Sequence, residues 1–344
     1  MVNWGFIGTG GMAGIMAVAM KKLSNCQISA VVGTNQAKAK TFADNFRIPF
    51  YTDQISQVLQ MPQIDLIYVA TQHPFHFQIA KAALQNNKHV LCEKPMTMRP
   101  EENVELNTIA KANNVLLLEG YMYRFHPQTK LLVDLLQQNV IGQVHTIVCG
   151  YSGCTAFNPQ FRLFNPAVGG GSIWDVGGYP VSSVGLIMAA LNNNTPQAPL
   201  QMAAAGILAE NGVDINSSLT LIYPNQIIAR LNCGALAREE NKLTIYGTEG
   251  RLIVPEPWMY NRTEPRNGHI IKISSNGEEE IFQTAATQTS FTAEADQISQ
   301  YLSGNHADLL QFPVMTPAES MIQNTILADW VKAVGGITAD KCQG

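Results

Sequence analysis

Residues 2–14 read VNWGFIGTGGMAG: an apolar run, a turn with Gly8, Gly10 and Ala13 in GxGxxA spacing, then a segment able to start a helix. Strand, glycine-rich turn and helix in this order form the dinucleotide fingerprint. Gly8 permits the tight turn, Gly10 lets backbone approach a pyrophosphate, and Ala13 keeps helix against sheet. Thr9, Gly11 and Met12 complete the loop, and the helix start offers N–H groups to phosphate. The next strand, QISAVVG, completes one βαβ unit.

From there the alternation continues. A helix is predicted over 36–46, a strand over 64–71, a helix from about Phe75, a strand over 89–95, a helix over 100–113 and a strand over 115–120. The fold class is therefore α/β at the start, a Rossmann doubly wound parallel sheet of at least five strands. After residue 123 the pattern changes to a helix over 127–138 and strands over 144–151, 202–208, 217–221, 227–233 and 242–247, separated by turn residues. Further helices are expected over 173–191, 292–303 and 317–334, the last with Thr316 as N-cap and Pro317 at its first position. This is an α+β domain with an open, mostly antiparallel sheet. The expected division is 1–122 for cofactor and 123–344 for substrate and oligomer contacts, the C-terminal helix packing back on the first domain.

The 344 residues suit two domains of about 150 each. Hydrophobic residues make up 46%, which excludes disorder. Only 22 Lys and Arg stand against 26 Asp and Glu, so a nucleic-acid partner is not expected. Charged residues are 14%, below the roughly 25% of an average soluble domain, and that thin charge shell needs a cause. No leader and no membrane span are expected, which makes cytoplasm the default. The six cysteines form no CxxC pair, so neither zinc site nor disulfide framework is expected. Asn216 and Asn261 match the glycosylation pattern by chance on this reading.

At the end of the second strand, VVGTNQAKAK lacks the acid that holds the ribose hydroxyls of NAD. Gly33, Thr34 and Asn35 leave room and donors, and Lys38 stands where an ammonium meets a 2′-phosphate or is simply a solvated helix residue. NADP is the expected cofactor, with NAD the alternative.

Three segments fall at the carboxyl ends of the strands: ATQHPFH (70–76) with Thr71 and His76, CEKP (92–95), and EGYMYRFHP (119–127). Lys94 follows an apolar strand and precedes a proline, a place for a short-reach proton donor or a clamp on an alkoxide. In the stretch 161–186, FRLFNPAVGGGSIWDVGGYPVSSVGL, Asp175 and Tyr179 share a face if a helix starts there. Tyr179 near Lys94 can exchange a proton with a substrate hydroxyl, and Asp175 can orient substrate or Lys94; the alternatives are a core aromatic and a helix cap.

GxGxxA, CEKP and the GGGxxxDxG segment together resemble the glucose-fructose oxidoreductase, inositol dehydrogenase and rhizopine catabolism family. The resemblance covers most of the chain. It implies hydride transfer between NAD or NADP and sugars, polyols or related carbonyls, with Lys94 catalytic or substrate-binding. Tyr179, where many members have histidine, resembles the branch of D-xylose and trans-1,2-dihydrobenzene-1,2-diol dehydrogenases, in which the tyrosine carries the proton and NADP is favoured. The same resemblance puts Arg124 and His126 on the nicotinamide wall and turns Asn158 and Arg162 toward substrate. It also implies a homodimer or homotetramer formed through the C-terminal sheet.

Glu93 either orients Lys94 or caps backbone, and His76 either meets cofactor or packs the helix start. Trp174 is a substrate wall or core. His73, His76 and His126 lack compact metal-ligand spacing, so no metal is expected. Two further functions stay open: a non-catalytic dinucleotide-binding regulator or scaffold, and a glycoside hydrolase that retains its nicotinamide.

Overall fold

Apolar strands in the first 120 residues line up side by side in the computed structural model, which describes residues 1–258, 263–304 and 308–342. Asn261 lies outside the described residues. The first sheet contains β1 (Val2–Ile7), β2 (Cys26–Val32), β3 (Phe50–Thr52), β4 (Leu66–Val69), β5 (His89–Glu93) and β6 (Leu117–Gly120), all parallel, in the order β3-β2-β1-β4-β5-β6. Its central strands are buried on both faces, as their unbroken apolar runs require. Connecting helices are α1 (Gly11–Met20), α2 (Gln36–Phe46), α3 (Ile55–Leu59), α4 (His76–Gln85) and α5 (Pro100–Ala112). The strand order reverses between β1 and β4, and in such sheets a ligand enters at the carboxyl ends beside that reversal.

Among the described residues the second sheet has eight strands in the order β14-β13-β12-β11-β7-β10-β9-β8. These are β7 (Val144–Ser152), β8 (Gln201–Leu208), β9 (Asp214–Ile222), β10 (Ile228–Gly234), β11 (Leu243–Gly247), β12 (Gly250–Val254), β13 (Gly268–Ser274) and β14 (Glu279–Thr284). Every pairing among these strands is antiparallel except β7 with β10, next to the central pair. The helices α6 (Pro127–Gln137) and α7 (Gly178–Ala190) pack against this sheet.

Two late helices return to the first sheet's side. On α8 (Ser290–Leu302), Ser299 Oγ accepts the Trp4 indole N–H at 3.2 Å. α9 (Pro317–Ala333) starts with the expected Thr316 cap, and Glu319 closes a capping box on it. On the same helix Asn324 donates to the Thr97 carbonyl at 2.6 Å, and Trp330 donates to Ser217 Oγ of β9 at 2.7 Å, so α9 is tied to both sheets.

Candidate active site

Gly8 closes β1 with φ +119°, and a Cβ there would lie 2.3 Å from the Ala70 carbonyl oxygen after β4. Only glycine allows the two strand ends to approach this closely. Gly10 is the extended N-cap of α1; nothing lies within 4 Å of where a Cβ of Gly10 or Gly11 would stand. The first turn holds no acid, Thr9 is half-buried, Met12 packs against the core, and Ala13 is buried against the sheet. An open helix start without acidic side chains fits a pyrophosphate.

After β2 the roles differ from a simple roomy turn. A Cβ on Gly33 would meet Ala39 N at 2.7 Å, so this glycine lets α2 pack close. Asn35 caps α2, its Oδ1 accepting the Lys38 N–H at 2.9 Å. Thr34 and Lys38 are exposed beside it, again with no acid in the first turn of the helix. These residues fit an added phosphate on the ribose.

The chemistry end is built on Lys94, which leaves β5 just before cis-Pro95. Its ammonium donates to the Asp175 carbonyl oxygen at 2.5 Å, stands 3.8 Å from Asp175 Oδ1 and lies 5.3 Å from the centre of the Tyr179 ring. Arg162 donates to the same Oδ1 at 2.8 Å. Burial pushes the Asp175 carboxyl up, but the charges of Lys94 and Arg162 outweigh it and hold the group below the usual carboxylate range.

Asp175 sits in a π-helical segment, Ile173–Gly177, that leads into α7. Segments of this kind are frequent at functional sites. In the π register the donor to the Asp175 carbonyl would come five residues on, from Pro180, which has no N–H. The Lys94 ammonium supplies a donor there. The segment is anchored by Asp214 of β9, whose Oδ2 accepts from Ser172 Oγ at 2.6 Å and Ile173 N at 2.8 Å. Tyr179 is buried with its ring 5.5 Å from Tyr121, 5.2 Å from Tyr151 and 5.8 Å from Trp258. The cation thus meets the ring of Tyr179, a cation–π arrangement.

His73, to which no sequence motif gives a role, also lies here. Its Nδ1 donates to the Gly169 carbonyl at 3.2 Å, which fixes the tautomer and leaves Nε2 an acceptor. Burial first, then His76 and Lys94, push its pKa down to about 3, so the ring is neutral. The HPFH spacing was its only sequence signal. His76 is fully buried and ties two loops together, Nδ1 lying 2.8 Å from the Pro95 carbonyl and Nε2 3.1 Å from the Thr71 carbonyl. Its influence on the site passes through those backbones. Glu93 accepts the Tyr68 hydroxyl at 2.6 Å and also meets the Lys94 backbone N–H, which is the capping alternative.

Four residues expected on the nicotinamide and substrate walls are turned elsewhere. Arg124 is 2% exposed and spends its guanidinium inside the protein, on the Ser182 carbonyl at 2.8 Å, the Pro313 carbonyl at 3.0 Å, Tyr123 Oη at 3.0 Å and Glu319 at 3.1 Å. A buried cation demands such a full set of partners, so Arg124 is a structural clamp and no nicotinamide wall. His126 caps α6, accepting the Gln128 N–H at 3.1 Å. Trp174 is core, its indole donating to the Ile337 carbonyl at 2.9 Å. Asn158 is exposed and shapes a turn, its Oδ1 accepting the Gln160 N–H at 3.0 Å. Among the described residues no three His, Cys, Asp or Glu side chains are grouped as metal ligands.

Residues 2–121 match the oxidoreductase family with an NAD-binding Rossmann fold, and residues 129–253 match the GFO/IDH/MocA C-terminal domain. The trans-1,2-dihydrobenzene-1,2-diol dehydrogenase of Xenopus laevis is 31% identical over 343 residues, covering 97% of this chain and 98% of its own. This chain belongs to the GFO/IDH/MocA oxidoreductase family. The Mus musculus dehydrogenase of the same name is 27% identical over 342 residues, 97% of each chain. In fold the chain is similar to a 3-ketoreductase from Actinomadura kijaniata in complex with NADP and TDP-benzene, with TM-score 0.83 and 23% identity over 97% of this chain and 98% of that one. It is also similar to an aldose-aldose oxidoreductase from Caulobacter crescentus complexed with glycerol, with TM-score 0.80 and 20% identity over 96% and 97%.

Proposed function

We propose that this oxidoreductase uses NADP to interconvert a hydroxyl and a carbonyl on a sugar, vicinal diol or related small carbonyl compound. The observation that carries the reading is the meeting of Lys94, Asp175 and Tyr179 at the carboxyl ends of the parallel strands. NADP would be held by the α1 start at Gly8–Ala13 and by Thr34 and Lys38, and when bound it supplies or takes up hydride. Lys94 places its positive charge where a substrate oxygen becomes negative, and Tyr179 carries the proton. Asp175 holds Lys94 in place and, with half-exposed Arg162, frames the polar side of the substrate. Phe157 and Phe161, exposed in the loop leading to Arg162, offer an apolar edge suited to a small ring. NADP in the Actinomadura relative and the diol in the Xenopus enzyme's name point the same way.

The chain is further read as a cofactor domain over 1–122 and a substrate domain over 123–344. Copies associate through the outer face of the second sheet, where Ile207 is 61% exposed, Ile281 52% and Tyr246 38%. Cytoplasm is the proposed compartment, in keeping with six free thiols; no helix among the described residues is long and apolar enough to cross a membrane.

The test is a steady-state screen of NADP and NAD against D-xylose, D-glucose, trans-1,2-dihydrobenzene-1,2-diol and α-dicarbonyls, followed at the reduced nicotinamide absorbance. Turnover with NADP well above that with NAD is expected. Tight cofactor binding with no turnover of any of these compounds would contradict the reading.

A further inference from the structure

Glu119 lies near the end of β6 with its carboxylate buried, and both of its oxygens are held by other elements. Oε1 accepts the Met96 N–H at 3.0 Å, and Oε2 accepts the Ser320 hydroxyl of α9. Ser320 Oγ in turn accepts from Asn103 Nδ2 of α5 at 3.2 Å. A hydrogen-bond chain thus runs from two helices to the residue that follows cis-Pro95, two places from Lys94. The charged and titratable groups around Glu119 are Lys94 and Arg124, which favour its ionised form, with Cys92 and Tyr121, whose own ionisation its charge opposes.

We propose that Glu119 is a positioning residue for Lys94: held between Met96 and Ser320, its carboxylate fixes the 94–96 turn and sets a negative charge behind the ammonium, and protonation weakens both. The inference rests on Lys94 being the charge partner of the substrate oxygen. Burial pushes Glu119 up to about 7, with Ser320, Met96, Lys94 and Arg124 pulling the other way, so the switch falls in the neutral range. When Glu119 takes a proton from water on Oε2, that oxygen becomes a donor. Ser320 must then accept from it as well as from Asn103, and its own hydrogen loses the carboxylate. The two protonation states therefore need opposite donor and acceptor roles in the Glu119–Ser320 link, while Asn103 and Met96 donate in both.

Glu119→Gln keeps an acceptor for Met96 and a donor for Ser320 and so mimics the protonated state. With NADP and trans-1,2-dihydrobenzene-1,2-diol, wild-type kcat/KM should rise with pH through a midpoint near 7. E119Q should lack that component, with kcat about tenfold lower on the alkaline side and KM little changed. Ser320→Ala removes a bond that favours the carboxylate, so its midpoint should move to higher pH. Infrared difference spectra of wild type against E119Q should show a protonated carboxyl band that titrates in the neutral range. A neutral-range midpoint that persists in E119Q or stays fixed in S320A would overturn the proposal, as would the absence of that infrared titration. The infrared measurement needs no substrate, so its failure counts against Glu119 itself, whereas a wild type without turnover counts against the reaction.

Discussion

Lys94 stands between the Asp175 carboxylate and the Tyr179 ring, and each contact constrains it differently. The carboxylate fixes charge, while the ring limits where the ammonium can move. Asp175→Asn keeps the shape and the backbone carbonyl but removes the charge shared with Arg162. We expect kcat to fall about tenfold, the order of one charge-assisted hydrogen bond, with cofactor affinity unchanged by fluorescence titration. Unaltered kcat would mean that the backbone carbonyl alone positions Lys94. That Lys94, Asp175 and Tyr179 lie together was legible in the sequence, because strand ends and spacing expose them. The partners of Arg124 were not, since Ser182 and Glu319 come from segments 58 and 195 residues away.

At the scale of elements, backbone conformation decides the site. Gly8→Ala would force a Cβ to 2.3 Å from the Ala70 carbonyl at a φ that disfavours it, so we expect weaker NADPH binding and a lower Tm. Wild-type cofactor affinity in this variant would show that the β1–β4 approach does not shape the cofactor site. Thr316→Ala opens the capping box of α9, at a cost of about 1 kcal/mol in urea unfolding. The long apolar strands and capped helices were readable because each carries its own periodicity and end signals. β3, only three residues long, and β12, β13 and β14 were not foreseen, because short or charged strands are specified by their neighbours. The π segment over 173–177 was likewise invisible, since its register depends on the Asp214 anchor and on Pro180 together.

For the whole molecule, the 14% charge content and the exposed apolar side chains of the second sheet have one common cause if copies pair there. Light scattering at micromolar concentration should give a dimer or tetramer mass, and Ile207→Glu should lower it; a monomeric wild type would contradict the pairing. Stability should also carry the sign of Glu119. Its proton is held more tightly in the folded protein, where the pKa rises from 4.5 to about 7, than in the unfolded chain. Between those values the folded state binds more protons, so this group's contribution falls as pH rises from 4.5 to about 7. Asp175 acts oppositely: its lowered pKa stabilises the fold above its ordinary value, and acid removes that contribution. Unfolding midpoints of wild type and E119Q across this range should converge at the acid end and separate toward neutrality, and parallel curves would contradict the assignment.

On the proposed function, Lys94 and Tyr179 handle the charge and proton of the substrate oxygen while the cofactor is held elsewhere. Single-turnover rates of Lys94→Met and Tyr179→Phe, measured together with their NADPH dissociation constants, test it most directly. Rates lower by roughly 10²- to 10⁴-fold are expected, with cofactor binding within a small factor of wild type. Wild-type rates in both variants, or a rate loss fully matched by loss of cofactor binding, would contradict it.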